Sequence, residues 1–277
     1  MRFGDRLAAV VERNRSLLCV GLDPDIRRFP LHLQERPDAI IAFNRAIIEA
    51  TADLVCAYKP NLGFFMAYGE PGIRALVETR RIVPAHIPVI LDAKVGDIAS
   101  TAEAYARAYF DLWGFDAVTA HPFLGGDSLV PWLRYQDRAV FILAKTSNPG
   151  SGDLQDLVVG DGPAAEPLYL HVASLVARWQ EQYGTCGLVA GATYPRQLGE
   201  IRRRCPDLPV LVPGIGAQSG DLAATVRAGL DAQGTGLLIN ASRAVLYASN
   251  GEDFAEAARG AAQQFRDQIN RIRSENS

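Results

Sequence analysis

The segment Leu91-Asp92-Ala93-Lys94-Val95-Gly96-Asp97 sets two carboxylates around one ammonium within a few residues. Asp92 and Lys94 stand two apart at the end of an apolar run. If that run is a strand, its period of two turns both side chains to one face. Opposite charges there offset each other, where a lone buried charge would be costly. Asp97 adds a carboxylate just beyond, Lys59 ends the preceding apolar run, and Asp23 ends the first. Such charges could simply be ion pairs knitting strand ends together, because structural networks gather ionisable groups too. Charges of both signs converging from three consecutive strands favour a chemical use, the stabilisation of charge that develops on a bound molecule.

Elements able to hold that array run through the whole chain. Short apolar runs at 17–22, 54–58, 88–91, 117–120, 139–143, 187–190, 210–212 and 236–239 alternate with amphipathic stretches. Continuous apolar runs of this length suit strands buried on both faces of a parallel sheet. Helical stripes fall between them: Ala39, Phe43, Ile47 and Ala50; Ala102, Tyr105, Tyr109 and Trp113; Leu168, Val172, Leu175 and Trp179; and a closing Phe254, Ala258, Ala261, Phe265, Ile269 and Ile272. Thr193-Tyr194-Pro195 reads as a helix start, with a hydroxyl cap and a proline in the first turn. Eight strands alternating with helices predict an α/β fold, a (β/α)8 TIM barrel forming a single domain over 1–277 with an extra amphipathic helix at the N-terminus. An open doubly wound sheet is the alternative. Gly21-Leu22-Asp23-Pro24 follows the first run, however, and no GxGxxG is present. No linker interrupts the chain. The stretch 146–167 reads as a long loop on the face where barrels build active sites.

Further residues fall at the same end. Pro213-Gly214-Ile215-Gly216-Ala217-Gln218 follows the seventh run and Ser242-Arg243 the eighth. Barrels often bind phosphate at these loops. Glycines allow close backbone approach, and a guanidinium fork suits phosphate oxygens. Alone, the glycines would read as a tight turn and Arg243 as a helix-surface charge.

Asp92-x-Lys94-x-x-Asp97-Ile98, with Thr101 soon after, resembles the signature of the orotidine 5'-phosphate decarboxylase family. The resemblance extends through Gly21-Leu22-Asp23-Pro24, Tyr58-Lys59-Pro60-Asn61, Lys145-Thr146-Ser147-Asn148-Pro149, the Pro213–Gln218 segment and Ser242-Arg243, in family order over nearly the whole chain. It is nearest to the longer bacterial branch, from which Val95 and Ala99 depart, at positions where arginine and glycine or proline are common. The resemblance implies loss of CO2 from a pyrimidine nucleotide, turning orotidine 5'-phosphate into uridine 5'-phosphate in pyrimidine biosynthesis with no cofactor and no metal. It makes Lys94 the proton donor, puts Asp92 near the departing carboxylate, and has Lys59 and Asp97 hold that pair in position. It gives Asp23, Lys59 and Thr101 the ribose hydroxyls, Ser147 the pyrimidine, and Gln218 and Arg243 the phosphate, with Ser242 a further substrate-binding residue. It also implies a homodimer in which Asp97 reaches the partner's site. Phosphate binding at this end separately suggests that 214–222 acts as a lid that closes on the phosphate.

Composition narrows the field. Hydrophobic residues make up 48%, enough for a large core, and a formal net charge of -3 does not suggest a nucleic-acid binder. Arg202-Arg203-Arg204 reads as a solvated helix end. Cys19, Cys56, Cys186 and Cys205 show no metal-ligand spacing and fit a reducing compartment. The N-terminus lacks the apolar core of a signal peptide and no run reaches membrane-spanning length, so a soluble, cytoplasmic protein is expected. His121 reads as a structural histidine, and Lys145 as a structural residue or a contact near the mouth. Two rivals stay open. One is a sister metal-dependent sugar-phosphate decarboxylase or aldolase on the same fold. The other is a non-catalytic barrel that binds nucleotide phosphates.

Overall fold

A computed structural model describes residues 1–216 and 221–275. Eight parallel strands form its main sheet: β1 (Leu18–Leu22), β2 (Ala57–Pro60), β3 (Ile90–Val95), β4 (Ala117–Ala120), β5 (Ala139–Lys145), β6 (Cys186–Ala190), β7 (Val210–Val212) and β8 (Leu237–Ala241). Their order is β2-β1-β8-β7-β6-β5-β4-β3. The two ends meet through bridges between Tyr58 and Val89 and between Asn61 and Asp92, which bring the sheet round into a barrel. The open-sheet alternative is thereby set aside.

Strand periodicity explains where the core lies. Cys19, Ala57, Ile90, Ala117, Ala139, Phe141, Val189, Leu211 and Leu238 point inward and pack together. Their neighbours, among them Val20, Tyr58, Leu91, Val118, Val140, Leu188, Val212 and Ile239, point outward into a second core beneath the helices. Two residues further along each strand, the inward position reached from Ala57 is Lys59, from Ile90 Asp92, from Ala117 Thr119, and from Leu238 Asn240. An apolar lower layer thus supports a polar upper layer at the C-terminal end of the barrel, where enzymes of this fold carry their chemistry.

The helices are α1 (Phe3–Asn14), α2 (Ala39–Thr51), α3 (Gly69–Ile82), α4 (Ala99–Ala106), α5 (Leu168–Tyr183), α6 (Pro195–Arg204), α7 (Leu222–Gly229) and α8 (Phe254–Glu275), with shorter turns between them. The expected extra N-terminal helix, α1, closes the bottom of the barrel. Phe3 meets Phe141 edge-on at 5.8 Å. Arg6 donates to the buried Asp116 at 2.7 Å, which Arg80 also reaches at 3.0 Å.

Several expectations change on folding. Arg202 is not solvated: it is buried and donates to the carbonyls of Gly229, Cys205, Pro206, Leu208 and Gly236, joining the ends of α6 and α7 to the strands that follow. The α4 stripe loses register because a π-helical turn, Arg107–Leu112, shifts the phase. Tyr105 is consequently exposed while Tyr109 is buried. In α5 the buried residues are Tyr169, Val172, Ala173 and Val176, so Leu175 lies off the centre of the stripe. The stretch 146–167 is not an unstructured loop: it contains a short helix, Gly152–Gln155, and a two-stranded antiparallel ribbon of Val158–Val159 and Glu166–Pro167. Pro195 opens α6 as expected, but Thr193 does not cap it, and its hydroxyl donates to the Ser147 carbonyl at 3.1 Å.

Candidate active site

Asp92 is the hub of the upper layer. Its Oδ2 accepts from Lys59 Nζ at 2.9 Å and from Asn61 Nδ2 at 3.2 Å. Its Oδ1 accepts from Lys94 Nζ at 2.6 Å and from the Thr119 hydroxyl at 2.9 Å. Lys59 is buried, whereas the Lys94 side chain is 49% exposed, so one ammonium is sealed into the barrel and the other faces the opening. Burial alone would push the Asp92 carboxyl up. The charges of Lys59 and Lys94 and their hydrogen bonds outweigh it and hold the group well below the usual carboxylate range. Burial likewise pushes the Lys59 ammonium down, and the charges of Asp92 and Asp23 more than reverse this. At neutral pH the site therefore holds a fixed anion between fixed cations, the preorganised arrangement that stabilises charge without reorganising.

The backbone is shaped for this. Pairing of β3 with β4 shifts register between Leu91 and Val95, a bulge inside the signature segment. Within it Lys94 has φ 49°, a left-handed conformation costly for a non-glycine residue. The amide of Lys94 donates to Thr119 Oγ1 at 2.9 Å, so one hydroxyl on β4 anchors both the strained backbone and the carboxylate. Period-two geometry correctly expected Asp92 and Lys94 to meet, but the bulge carries the chain through the turn. Ala99 is left-handed as well, at φ 45°, so two non-glycine residues in this conformation flank Asp97.

Asp23 follows β1 and is half-buried, and its Oδ1 is shielded from solvent with no hydrogen-bond partner. Asn240, in the inner layer of β8, has an Oδ1 in the same condition. Two orphaned acceptors on neighbouring strands call for donors, since buried polar atoms are rarely left unpaired. Ser242 accepts from Asn240 Nδ2 at 3.3 Å. It lies so close to β1 that a Cβ on Gly21 would fall 1.9 Å from its hydroxyl. Arg243 is exposed immediately after β8, on the same rim as Lys94. Ser147 is half-buried just past β5, and Thr101 is exposed in the first turn of α4. Gly214 and Gly216 take φ values of 104° and 80°. Gln218 and the rest of segment 217–220 of the expected lid lie outside the described residues.

Asp97 is not drawn into the Lys59-Asp92-Lys94 array of its own chain. Its Oδ1 accepts from the Ile98 amide at 2.8 Å, and it pairs with neither lysine. His121 sets its ring where any side chain on Gly96 would collide, and its buried Nδ1 finds no hydrogen-bond partner, so it is a packed rather than a satisfied histidine. Thr119 and Asn240 escaped the sequence reading, and Asn61 entered it only as part of the Tyr58-Lys59-Pro60-Asn61 segment. The signal available was a polar residue at an inward position of an otherwise apolar run, as in Ala117-Val118-Thr119-Ala120. A cavity of about 750 Å³ opens at the other end of the barrel, between α1 and α8, away from these groups.

Comparison with known proteins fits this geometry. The family model described as "Orotidine 5'-phosphate decarboxylase / HUMPS family" matches residues 16–258. An orotidine 5'-phosphate decarboxylase of Thermomicrobium roseum is 57% identical over 275 residues, covering 99% of this chain and 97% of that protein. The solved orotidine monophosphate decarboxylase of Leishmania donovani is 45% identical with a TM-score of 0.87, covering 99% of this chain and 100% of that one. The UMP synthase of the same organism is 47% identical with a TM-score of 0.88, but this chain spans only 57% of its length. Among the described residues no helix is long and apolar enough to cross a membrane.

Proposed function

The chain belongs to the orotidine 5'-phosphate decarboxylase / HUMPS family, and we propose from that premise how its upper polar layer performs the reaction. It converts orotidine 5'-phosphate to uridine 5'-phosphate and CO2 and is a carboxy-lyase of pyrimidine synthesis. Neither the sugar-phosphate enzyme nor the non-catalytic barrel finds support among these relatives.

One observation carries the mechanism: a carboxylate held ionised between two ammonium groups at the barrel mouth. The substrate carboxylate sits beside Asp92 and is repelled by it. When the carbon–carbon bond breaks, CO2 leaves and the bonding pair stays on the ring carbon. Negative charge then lies where the substrate's carboxylate was attached, facing the Lys94 ammonium. Lys94 gives its proton to that carbon, forming the carbon–hydrogen bond of the product and becoming a neutral amine, which is reprotonated from solvent. Lys59 stays charged and keeps Asp92 ionised throughout. Asp23 and Thr101 take the ribose hydroxyls, a role supported for Asp23 by its orphaned oxygen. Ser147 reads the pyrimidine, Gln218 and Arg243 hold the phosphate, and Ser242 is a further substrate contact. The reaction runs without metal or cofactor.

The reading includes a homodimer with Asp97 delivered across the interface. Its support is that Asp97 is unpaired with its own lysines, while Ile98 and Tyr105 after β3 and Phe123 and Leu124 after β4 leave apolar surface exposed. It also includes a cytoplasmic setting, consistent with four free, buried cysteines. Mixed dimers test the shared site. Lys94→Ala and Asp97→Ala should each be nearly inactive alone, and co-refolding them should restore one native site per heterodimer. Absence of recovery would refute the shared-site model.

A further inference from the structure

Lys145 closes β5 and is completely buried, yet it has no part in the charge array around Asp92. A buried ammonium is costly unless it is paired, and removing its partner leaves an uncompensated charge. Here the partner comes from the insertion after β5. Lys145 Nζ donates to Asp156 Oδ1 at 2.6 Å and lies 4.6 Å from the centre of the Tyr194 ring. The neighbouring Gln155 grips the next residue twice, accepting from the Thr146 amide at 2.8 Å and donating to the Thr146 hydroxyl at 2.9 Å.

On the opposite side, the loop after β6 holds the following two residues. Thr193 donates to the Ser147 carbonyl at 3.1 Å, and the Tyr194 hydroxyl donates to the Asn148 carbonyl at 3.3 Å. Gly191 lets the two loops approach: a Cβ there would lie 2.6 Å from Ser147 Cα. The backbone from Lys145 to Asn148 is therefore pinned by both neighbours, and the Ser147 hydroxyl takes part in none of the bonds that pin it. A polar group left unengaged on an immobilised backbone is preorganised for a ligand.

We propose that Lys145, Gln155 and Asp156 form a clamp that positions Ser147 against the pyrimidine ring, making the ribbon-bearing insertion the element that sets base recognition. This rests on the assignment of Ser147 to the base. Lys145, Gln155 and Asp156 are positioning residues and touch no reacting atom.

The test compares inhibition by uridine 5'-phosphate with inhibition by ribose 5-phosphate, which lacks the base, in Ser147→Ala, Gln155→Ala, Asp156→Asn and the double variant Lys145→Met/Asp156→Leu. The double variant removes both charges at once, so it leaves no unpaired ion if Asp156→Asn fails to fold. Loss of one well-placed hydrogen bond to the base is expected to weaken uridine 5'-phosphate about tenfold. Ribose 5-phosphate should bind each clamp variant as it binds the wild type, and Asp156→Glu should regain most of the loss. If clamp variants weaken both ligands equally, or lower only the melting temperature, the clamp is structural and the proposal falls. If Ser147→Ala leaves uridine 5'-phosphate unaffected, the assignment of the base to Ser147 falls first and takes the clamp with it.

Discussion

Thr119→Val is a near-isosteric change that exchanges the hydroxyl for a methyl group, and it should cost activity out of proportion to stability. In the native site this oxygen donates to Asp92 Oδ1 and accepts from the Lys94 amide, each at 2.9 Å. A hydrogen bond to a charged group contributes roughly 1.5–3 kcal/mol, and the backbone bond about 1 kcal/mol more. If these interactions keep Lys94 aimed at the reacting carbon, most of that energy is lost from the transition state. At about 1.4 kcal/mol per decade, the expected fall in kcat/KM is roughly 50-fold to 1000-fold. It should lie mainly in kcat, because Thr119 touches the charged array rather than ribose or phosphate. Thr119→Ser keeps the oxygen and should recover most of the rate. The assay is the loss of orotate absorbance, run beside thermal unfolding. A Thr119→Val enzyme within about threefold of wild type would refute the idea that β4 anchors the strained Lys94 backbone.

Substituting Asp92 has a pH signature as well as a catalytic one. The folded carboxyl titrates below its unfolded value of about 3.9, so below about pH 4 the unfolded chain binds more protons and stability falls as pH drops, by up to about 1.4 kcal/mol per pH unit. Asp92→Asn should flatten urea-unfolding stability over that acid range while lowering it at pH 7 by about 3–5 kcal/mol, since Lys59 is left buried without its main partner; an unchanged acid slope would show that Asp92 is not held ionised. Ala99→Gly should raise stability by about 1 kcal/mol, because glycine adopts the left-handed φ of 45° without a Cβ penalty, and a lowered midpoint in the same assay would mean that the residue is not strained.

Much of the barrel was legible because strand and helix periods are local properties of a chain. Each of the eight apolar runs overlaps or immediately adjoins an observed strand. The misreadings have physical causes. Polarity rises at the ends of the second and third strands before the backbone leaves the sheet, and Lys59, Asp92 and Lys94 are strand residues as expected. Thr119 is hidden as a lone polar residue inside an apolar strand. Arg202 looked like a surface charge because its carbonyl partners on α7 and before β7 and β8 come together only in the folded chain. The π-helical turn after α4 and the bulge at Lys94 change phase by amounts that no periodic template contains. The stretch 146–167, rich in glycine and proline, was mistaken for an open loop, although Asp156 and Gln155 tie it to the barrel mouth.

In the proposed mechanism fixed protein charges perform the decarboxylation unaided by metal, with Lys94 supplying the proton. The direct measurement follows orotidine 5'-phosphate by its absorbance in excess EDTA, using wild-type protein and Lys94→Ala. Full conversion to uridine 5'-phosphate by the wild type, with none by a Lys94→Ala protein that still binds uridine 5'-phosphate, is the predicted result. Turnover that EDTA abolishes and a divalent cation restores, or turnover that survives loss of the lysine, would contradict it.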